Sequence, residues 1–321
     1  MVYCLKPVFL GIVAYKGGVG KTTLSTLLGV GLSFFMNKKV LLIDLDPQAN
    51  LTEVFLTRLV FNNIVIEAER KNKVFSLDFF LRPDREPVIV SVRETRNNLY
   101  ILPSHYKFMR TLELLNIPVD IAITARARLG ELAERYGFEH IILDLPPQMY
   151  YLVTPIASIS TDYILSPASK GAFNDIAIYY MLQTFYEATK TLRRSRSLNK
   201  YLGVVLTKFF VNERRNIEII TDRINKLVNK FINDEKLVDP DKTIYPETVF
   251  KTVVFYNPVL NKLRGVIVGK TPYIIRVFNK YYKGFKHRPY YDRLIENTRE
   301  LINELNERID YFAGIESKYS G

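Results

Sequence analysis

Short apolar runs recur along the chain and alternate with stretches of helical period. Residues 8–14 form the first run and 40–43 the second, the latter ending at Asp44. Further runs lie at 99–102, 140–143, 163–165 and 202–206. Each is apolar on successive residues, as expected of strands buried on both faces of a parallel sheet. Between them, 22–36, Val119–Tyr136 and 172–192 carry the spacing of helices, and Gly137 stops the second of these. The interval 51–97 is less regular; it predicts helices over 51–60 and 74–81 and an extended piece over 88–92. Within the first helix, Gly29 and Gly31 are expected to allow close packing on the sheet. Alternating strands and helices predict one α/β domain over 1–321, a doubly wound, mostly parallel sheet with helices on both faces. Such sheets bind ligands beyond the C-terminal ends of their strands.

Three polar segments fall at those ends. After the first strand comes Lys16-Gly17-Gly18-Val19-Gly20-Lys21-Thr22-Thr23. Its glycines let successive backbone N–H groups curl into an anion nest, and the helix that follows adds its positive end. Lys21 is placed to reach the β- and γ-phosphates of a nucleotide, with the Thr22 hydroxyl a ligand for Mg²⁺. The loop departs from the usual phosphate-loop pattern, however. Its first glycine should stand at position 15, where the chain has Tyr15, and an additional lysine, Lys16, follows directly. Asp144 ends an apolar strand and is expected to hold the metal through a water. Asp46, just past the second strand, is expected to face the γ-phosphate and orient the attacking water, with a water-mediated metal contact as its other possible role.

Composition narrows the class. One cysteine in 321 residues, Cys4, allows no internal disulfide and no cysteine metal cluster, which suits a reducing, cytoplasmic setting. No stretch is long and apolar enough to read as a membrane span. The net charge of +12 is uneven: residues 1–150 hold 18 Lys/Arg against 15 Asp/Glu, and residues 151–321 hold 27 against 18. Residues 248–291 carry nine Lys/Arg and no acid. That asymmetry suggests a polyanionic partner.

KGGVGKTT at 16–23, LLIDLDPQAN at 41–50 and IILDLPPQ at 141–148 closely resemble the three motifs of the ParA/MinD ATPases, which carry a deviant phosphate loop. Gly203-Val204-Val205-Leu206-Thr207 and the segment 249–253 are similar to later strands of that family. The resemblance implies ATP and Mg²⁺ as cofactors and an ATP-dependent sandwich dimer. In that dimer the early lysine, here Lys16, reaches the phosphates bound by the other subunit. Phe255-Tyr256-Asn257 departs from the proline-arginine-asparagine usual at the adenine side.

Within the family, a single cysteine does not suit the iron-protein branch, and Asp46-Pro47-Gln48 is the form found in ParA proteins. MinD-type members end in a basic amphipathic membrane helix. The last helix here, over 292–312, carries Glu296, Glu300, Glu304 and Glu307 opposite its apolar stripe and is expected to pack on the sheet. The resemblance therefore implies a DNA partition ATPase that binds non-specific DNA on the nucleoid and answers to a ParB-like partner. A MinD-like ATPase positioning a cargo without DNA is the alternative. The first strand begins at Val8, so no N-terminal helix-turn-helix is expected. Candidate DNA contacts are Arg193, Arg194, Arg196 and Lys200 at one helix end, then Arg214, Arg215, Arg223 and Lys226 on the next helix. The acid-free segment ranks behind them.

Overall fold

A computed structural model describes residues 6–92, 98–105, 119–147, 153–170, 174–192, 200–237, 239–263, 267–268, 271–282 and 289–319. Eight strands form one sheet in the order β3-β4-β2-β5-β1-β6-β7-β8. They are β1 (Val8–Ile12), β2 (Val40–Asp44), β3 (Val90–Ser91), β4 (Leu99–Leu102), β5 (His140–Asp144), β6 (Tyr163–Ala168), β7 (Lys200–Phe209) and β8 (Val254–Phe255). All neighbours pair in parallel except β3, an antiparallel edge strand against β4. The extended backbone expected over 88–92 holds β3 at its centre, and Val88 N and Val92 N on either side donate to Val74 O and Leu99 O, both at 2.8 Å.

Alternation along each strand divides the interior into two cores. Phe9, Leu41, Ile43, Ile141 and Leu143 face one side, toward helices α5 (Val119–Tyr136), α7 (Asn174–Leu192) and α8 (Arg214–Asp234). Leu10, Ile12, Leu42 and Ile142 face the other, toward α1 (Lys21–Phe35), α10 (Tyr273–Tyr282) and α11 (Pro289–Tyr319). The remaining helices are α2 (Asn50–Phe55), α3 (Arg58–Arg70), α4 (Ser76–Leu81), α6 (Val153–Ser160) and α9 (Pro258–Asn261), with a small hairpin of β9 (Ile267–Val268) and β10 (Thr271–Pro272).

The helix expected over 51–60 is two helices. Leu56 is extended, and the Thr57 hydroxyl accepts a hydrogen bond from Val60 N at 3.1 Å, which starts a new N-terminus. The two glycines of α1 also divide their work. A Cβ on Gly29 would meet Leu42 of the sheet at 2.8 Å, as expected. One on Gly31 would instead meet Ile302 of α11 at 2.6 Å, so this glycine admits the last helix rather than the sheet. Helix α11 buries Leu294, Leu301, Leu305 and Phe312, so its apolar stripe is consumed inside the fold. No helix among the described residues is long and apolar enough to cross a membrane.

Candidate nucleotide-binding site

Strand register places the acids. Ile12 and Asp44 both lie opposite Asp144, so Asp44 and Asp144 sit side by side at the level where the glycine loop leaves β1. Gly18 and Gly20 take left-handed φ values of 76° and 98°, the backbone a nest requires. Lys21 opens α1 and is 7% exposed. Burial lowers its pKa, and the charges of Asp144 and Asp46 work against that shift.

Asp144 is the hub. Its Oδ2 accepts from the Thr22 hydroxyl at 3.0 Å and its Oδ1 from the Ser25 hydroxyl at 2.9 Å. Burial raises its pKa above the usual carboxylate range; Lys21 and the two hydroxyls oppose the rise. Asp44 is fully buried and pushed well upward, by burial first and then by Asp144. It accepts from Thr52 N and the Thr52 hydroxyl, both at 2.8 Å, and so ties the start of α2 to the sheet. Asp46 is 5% exposed, and its Oδ1 accepts from Gln48 N at 2.9 Å. The Asp144 and Asp46 carboxyl groups thus act on one ammonium in a buried setting, with Asp44 beside Asp144. A hard divalent cation suits this set: carboxylate and hydroxyl oxygens match Mg²⁺, which usually keeps waters and takes further oxygens from phosphates. Thr22 and Asp144 are the residues that would hold it.

Two residues that sequence reasoning did not assign complete the loop. Thr207, near the end of β7, donates from its hydroxyl to Val19 O at 2.6 Å, and a Cβ on Gly20 would come within 3.1 Å of that hydroxyl. The next residue, Lys208, donates from Nζ to Gly18 O. Thr207 belongs to a stretch that resembles a family strand, which was its only signal. Beside them opens a cleft of about 200 Å³ walled by Gly20, Thr22, Thr23, Lys208 and Tyr256. Asn257 borders it but is spoken for: its side chain accepts from Val259 N at 2.9 Å and donates to Tyr290 O at 2.8 Å. Lys16 lies half-buried on the flank of the loop, one residue after Tyr15, which packs on the core.

The basic residues expected at DNA differ in their surroundings where the structure describes them. Arg193, Arg194 and Arg196 lie outside the described residues. Lys200 is a correction: it opens β7, is 7% exposed, pairs with Glu316 and lies over the rings of Tyr163 and Phe312. Its ammonium is held in the fold, not offered to a phosphate backbone. On α8, Arg214 and Arg215 are exposed in the first turn and Arg223 is exposed in the third. Lys226 pairs with Asp222 at 2.7 Å, one turn before it. That pairing weakens the field of the face expected to attract DNA. Of the acid-free segment, Val254 to Asn257, Leu260, Asn261 and Leu263 line the nucleotide cleft, while Arg264, Lys270, Lys283, Lys286 and Arg288 lie outside the described residues.

An AAA-domain family model, AAA_31, matches residues 9–199, more than half of the chain. Soj, the sporulation initiation inhibitor protein of Bacillus subtilis, is 27% identical over 266 residues, covering 78% of this chain and 91% of Soj. The chromosome partitioning protein ParA of Caulobacter vibrioides is 27% identical over 236 residues, 70% of this chain and 77% of that one. Among solved structures, pNOB8 ParA superposes with a TM-score of 0.74 at 19% identity, over 95% of this chain and 99% of that chain. The same protein bound to nonspecific DNA gives 0.69, with the same identity and coverage. The mostly parallel eight-stranded sheet, the deviant phosphate loop above its acids and these likenesses agree: the chain belongs to the AAA_31 family and is a ParA/MinD-type P-loop ATPase related to the partition ATPases.

Proposed function

We propose that this protein is a ParA-type DNA partition ATPase. ATP closes two copies into a sandwich dimer, the dimer binds duplex DNA without sequence preference, and a ParB-like centromere-binding protein stimulates hydrolysis. The observation that carries the reading is one loop with two lysines of different surroundings. Lys21 is buried against Asp144 and Asp46, whereas Lys16 stands half-exposed on the outer flank. One is placed to serve its own nucleotide and the other to act on a nucleotide brought against the flank by a second copy. The likeness to pNOB8 ParA, a protein solved in complex with nonspecific DNA, supports the DNA part of the reading, as does the +12 charge. The protein would then work in the cytoplasm, on the nucleoid.

In this reading the nest, Thr23 and Lys21 bind the phosphates, and Lys16 of the second copy neutralises charge that develops during transfer. Mg²⁺, when bound, supplies charge neutralisation at the β- and γ-phosphate oxygens. Asp144 holds the Thr22 hydroxyl by the 3.0 Å hydrogen bond already in place. Asp46, buried near Lys21, orients the water that attacks the γ-phosphate.

Asp46→Ala tests the assignment. ATP binding and dimerisation should persist because the loop and Lys21 are untouched, while kcat should fall on the order of 10²–10⁴-fold. The variant should accumulate as an ATP-bound dimer that stays on DNA. Single-turnover hydrolysis and nucleotide titration read both quantities. A variant that binds no ATP would make Asp46 a structural or metal-holding residue instead.

A further inference from the structure

We propose that Ser25 is a positioning residue for the metal half of the site: its hydroxyl fixes the Asp144 carboxylate so that the other carboxylate oxygen stays on Thr22. The inference rests on the nucleotide reading of the site and adds to it a residue that lies beyond the phosphate-loop motif.

Neither packing nor helix formation explains a serine at this position. Ser25 stands in the second turn of α1, in a run of buried residues from Leu24 to Ser33, and is itself 0% exposed. Alanine would fill the space and is the better helix former. A hydroxyl inside a helix often bonds back to the carbonyl four residues earlier. The neighbouring Thr26 does so, donating to Thr22 O at 2.7 Å. Ser25 instead donates out of the helix, to Asp144 Oδ1 at 2.9 Å.

The spacing decides what that bond does. Ser25 follows Lys21 by four residues and Thr22 by three, so the three side chains share one face of α1. That face presents an ammonium and two hydroxyls to one carboxylate. Thr22 holds Oδ2 at 3.0 Å while Ser25 holds Oδ1, and the Lys21 charge acts on the pair of oxygens. Two bonds from successive turns fix both the place and the rotation of the carboxylate. A hydroxyl has one proton and two lone pairs, so Thr22 can keep donating to Asp144 while it offers a lone pair to a divalent cation. It can do both only while Oδ2 stays in line with its proton. Without Ser25, Asp144, which is 1% exposed, would be held by one hydroxyl and free to rotate about that bond. Groups that orient the ligands of a metal typically matter 10–100-fold in metal affinity.

The test is calorimetric binding of ADP to full-length wild type, Ser25→Ala and Ser25→Thr, with Mg²⁺ and again with Mg²⁺ chelated. Mg²⁺ should tighten ADP on the wild type. In Ser25→Ala that gain should be about tenfold smaller, while ADP without Mg²⁺ binds as before, because the nest and Lys21 are untouched. The metal-free affinity also reports that the variant is folded. Ser25→Thr keeps the hydroxyl and should keep most of the gain. An equal Mg²⁺ gain in wild type and Ser25→Ala would overturn the proposal. So would equal weakening with and without Mg²⁺, the result expected of lost packing alone, or a threonine variant no better than alanine. A wild type that binds no ADP, or binds it regardless of Mg²⁺, would overturn the nucleotide and metal reading beneath the proposal, and the proposal with it.

Discussion

Lys16→Ala should bind one ATP per chain with near-normal affinity yet lose ATP-dependent dimerisation, and its hydrolysis should fall by about 10³-fold or more. The two halves of this result separate because the two lysines sit in different places. Lys21, Thr22 and the left-handed glycines make the phosphate site within one chain, and none of them touches position 16 through a described hydrogen bond. Lys16 lies on the half-exposed flank, so its charge is of use to a nucleotide only when a second copy closes over that flank. A cation supplied across an interface acts on charge that grows in the transition state, which is why its removal should cost turnover far more than binding. Sedimentation with ATP and single-turnover hydrolysis measure the two effects. Normal turnover would contradict the trans role.

Arg308→Ala should lower the free energy of unfolding by about 3–5 kcal/mol, the cost of breaking a buried pair by removing one partner. Arg308 lies in the middle of α11 and is 1% exposed. Its Nη1 donates to Leu202 O and Glu247 O, both at 2.6 Å, and its Nη2 to Val249 O at 3.2 Å and Glu304 Oε1 at 2.8 Å. Its guanidinium also stacks between the rings of Tyr245 and Phe250, 4.3 and 3.8 Å from their centroids. Glu304 in turn accepts from the backbone of Lys251 and Thr252, both at 2.9 Å. The alanine variant would strand several carbonyls and take one charged partner from the part-buried Glu304 at once. Gly203 belongs to the same arrangement: a Cβ there would meet Thr248 O at 2.1 Å. Arg308→Lys should recover only part of the loss, because an ammonium cannot fork to both carbonyls or stack as a plane. Urea unfolding should show a lower midpoint with unchanged slope; a change under about 1 kcal/mol, the range of exposed pairs, would contradict the structural role.

The sheet and its loop were readable because their signals are local. Strands β1, β2 and β5 are apolar on both faces, so each is an unbroken hydrophobic run, and the glycine loop joins one of them directly to a helix. Asp44 and Asp144 stand at strand ends in the sequence itself. Other features depend on contacts made far along the chain. The break at Leu56 needs the Thr57 cap, and Gly31 needs the last helix, whose contacts come from Thr298 and Ile302, far along the chain. Lys200 read as one more cation in a basic cluster, although its neighbours in space are Glu316 and two rings from distant elements. The Asp222–Lys226 pair, by contrast, was legible in its i,i+4 spacing, and counting only cations on α8 overlooked it. The clamp by Thr207 and Lys208 arises from a slip in strand register, for which the residues give no local sign.

Whether this ATPase acts on DNA is decided by binding to random-sequence duplex at several salt concentrations, with ATP, ADP or no nucleotide, beside anionic vesicles. A partition ATPase should bind DNA tightly with ATP only, lose affinity steeply with salt, and show no nucleotide-dependent binding to vesicles. Each arginine that contacts a phosphate adds about 0.9 to the log–log salt slope. Changing Arg193, Arg194 and Arg196 together to alanine should therefore flatten that slope while hydrolysis and dimerisation survive. An unchanged slope in the triple variant would move the DNA surface to Arg214, Arg215 and Arg223. ATP-dependent binding to vesicles, with no DNA binding in any nucleotide state, would contradict the partition reading and favour a membrane-positioning ATPase.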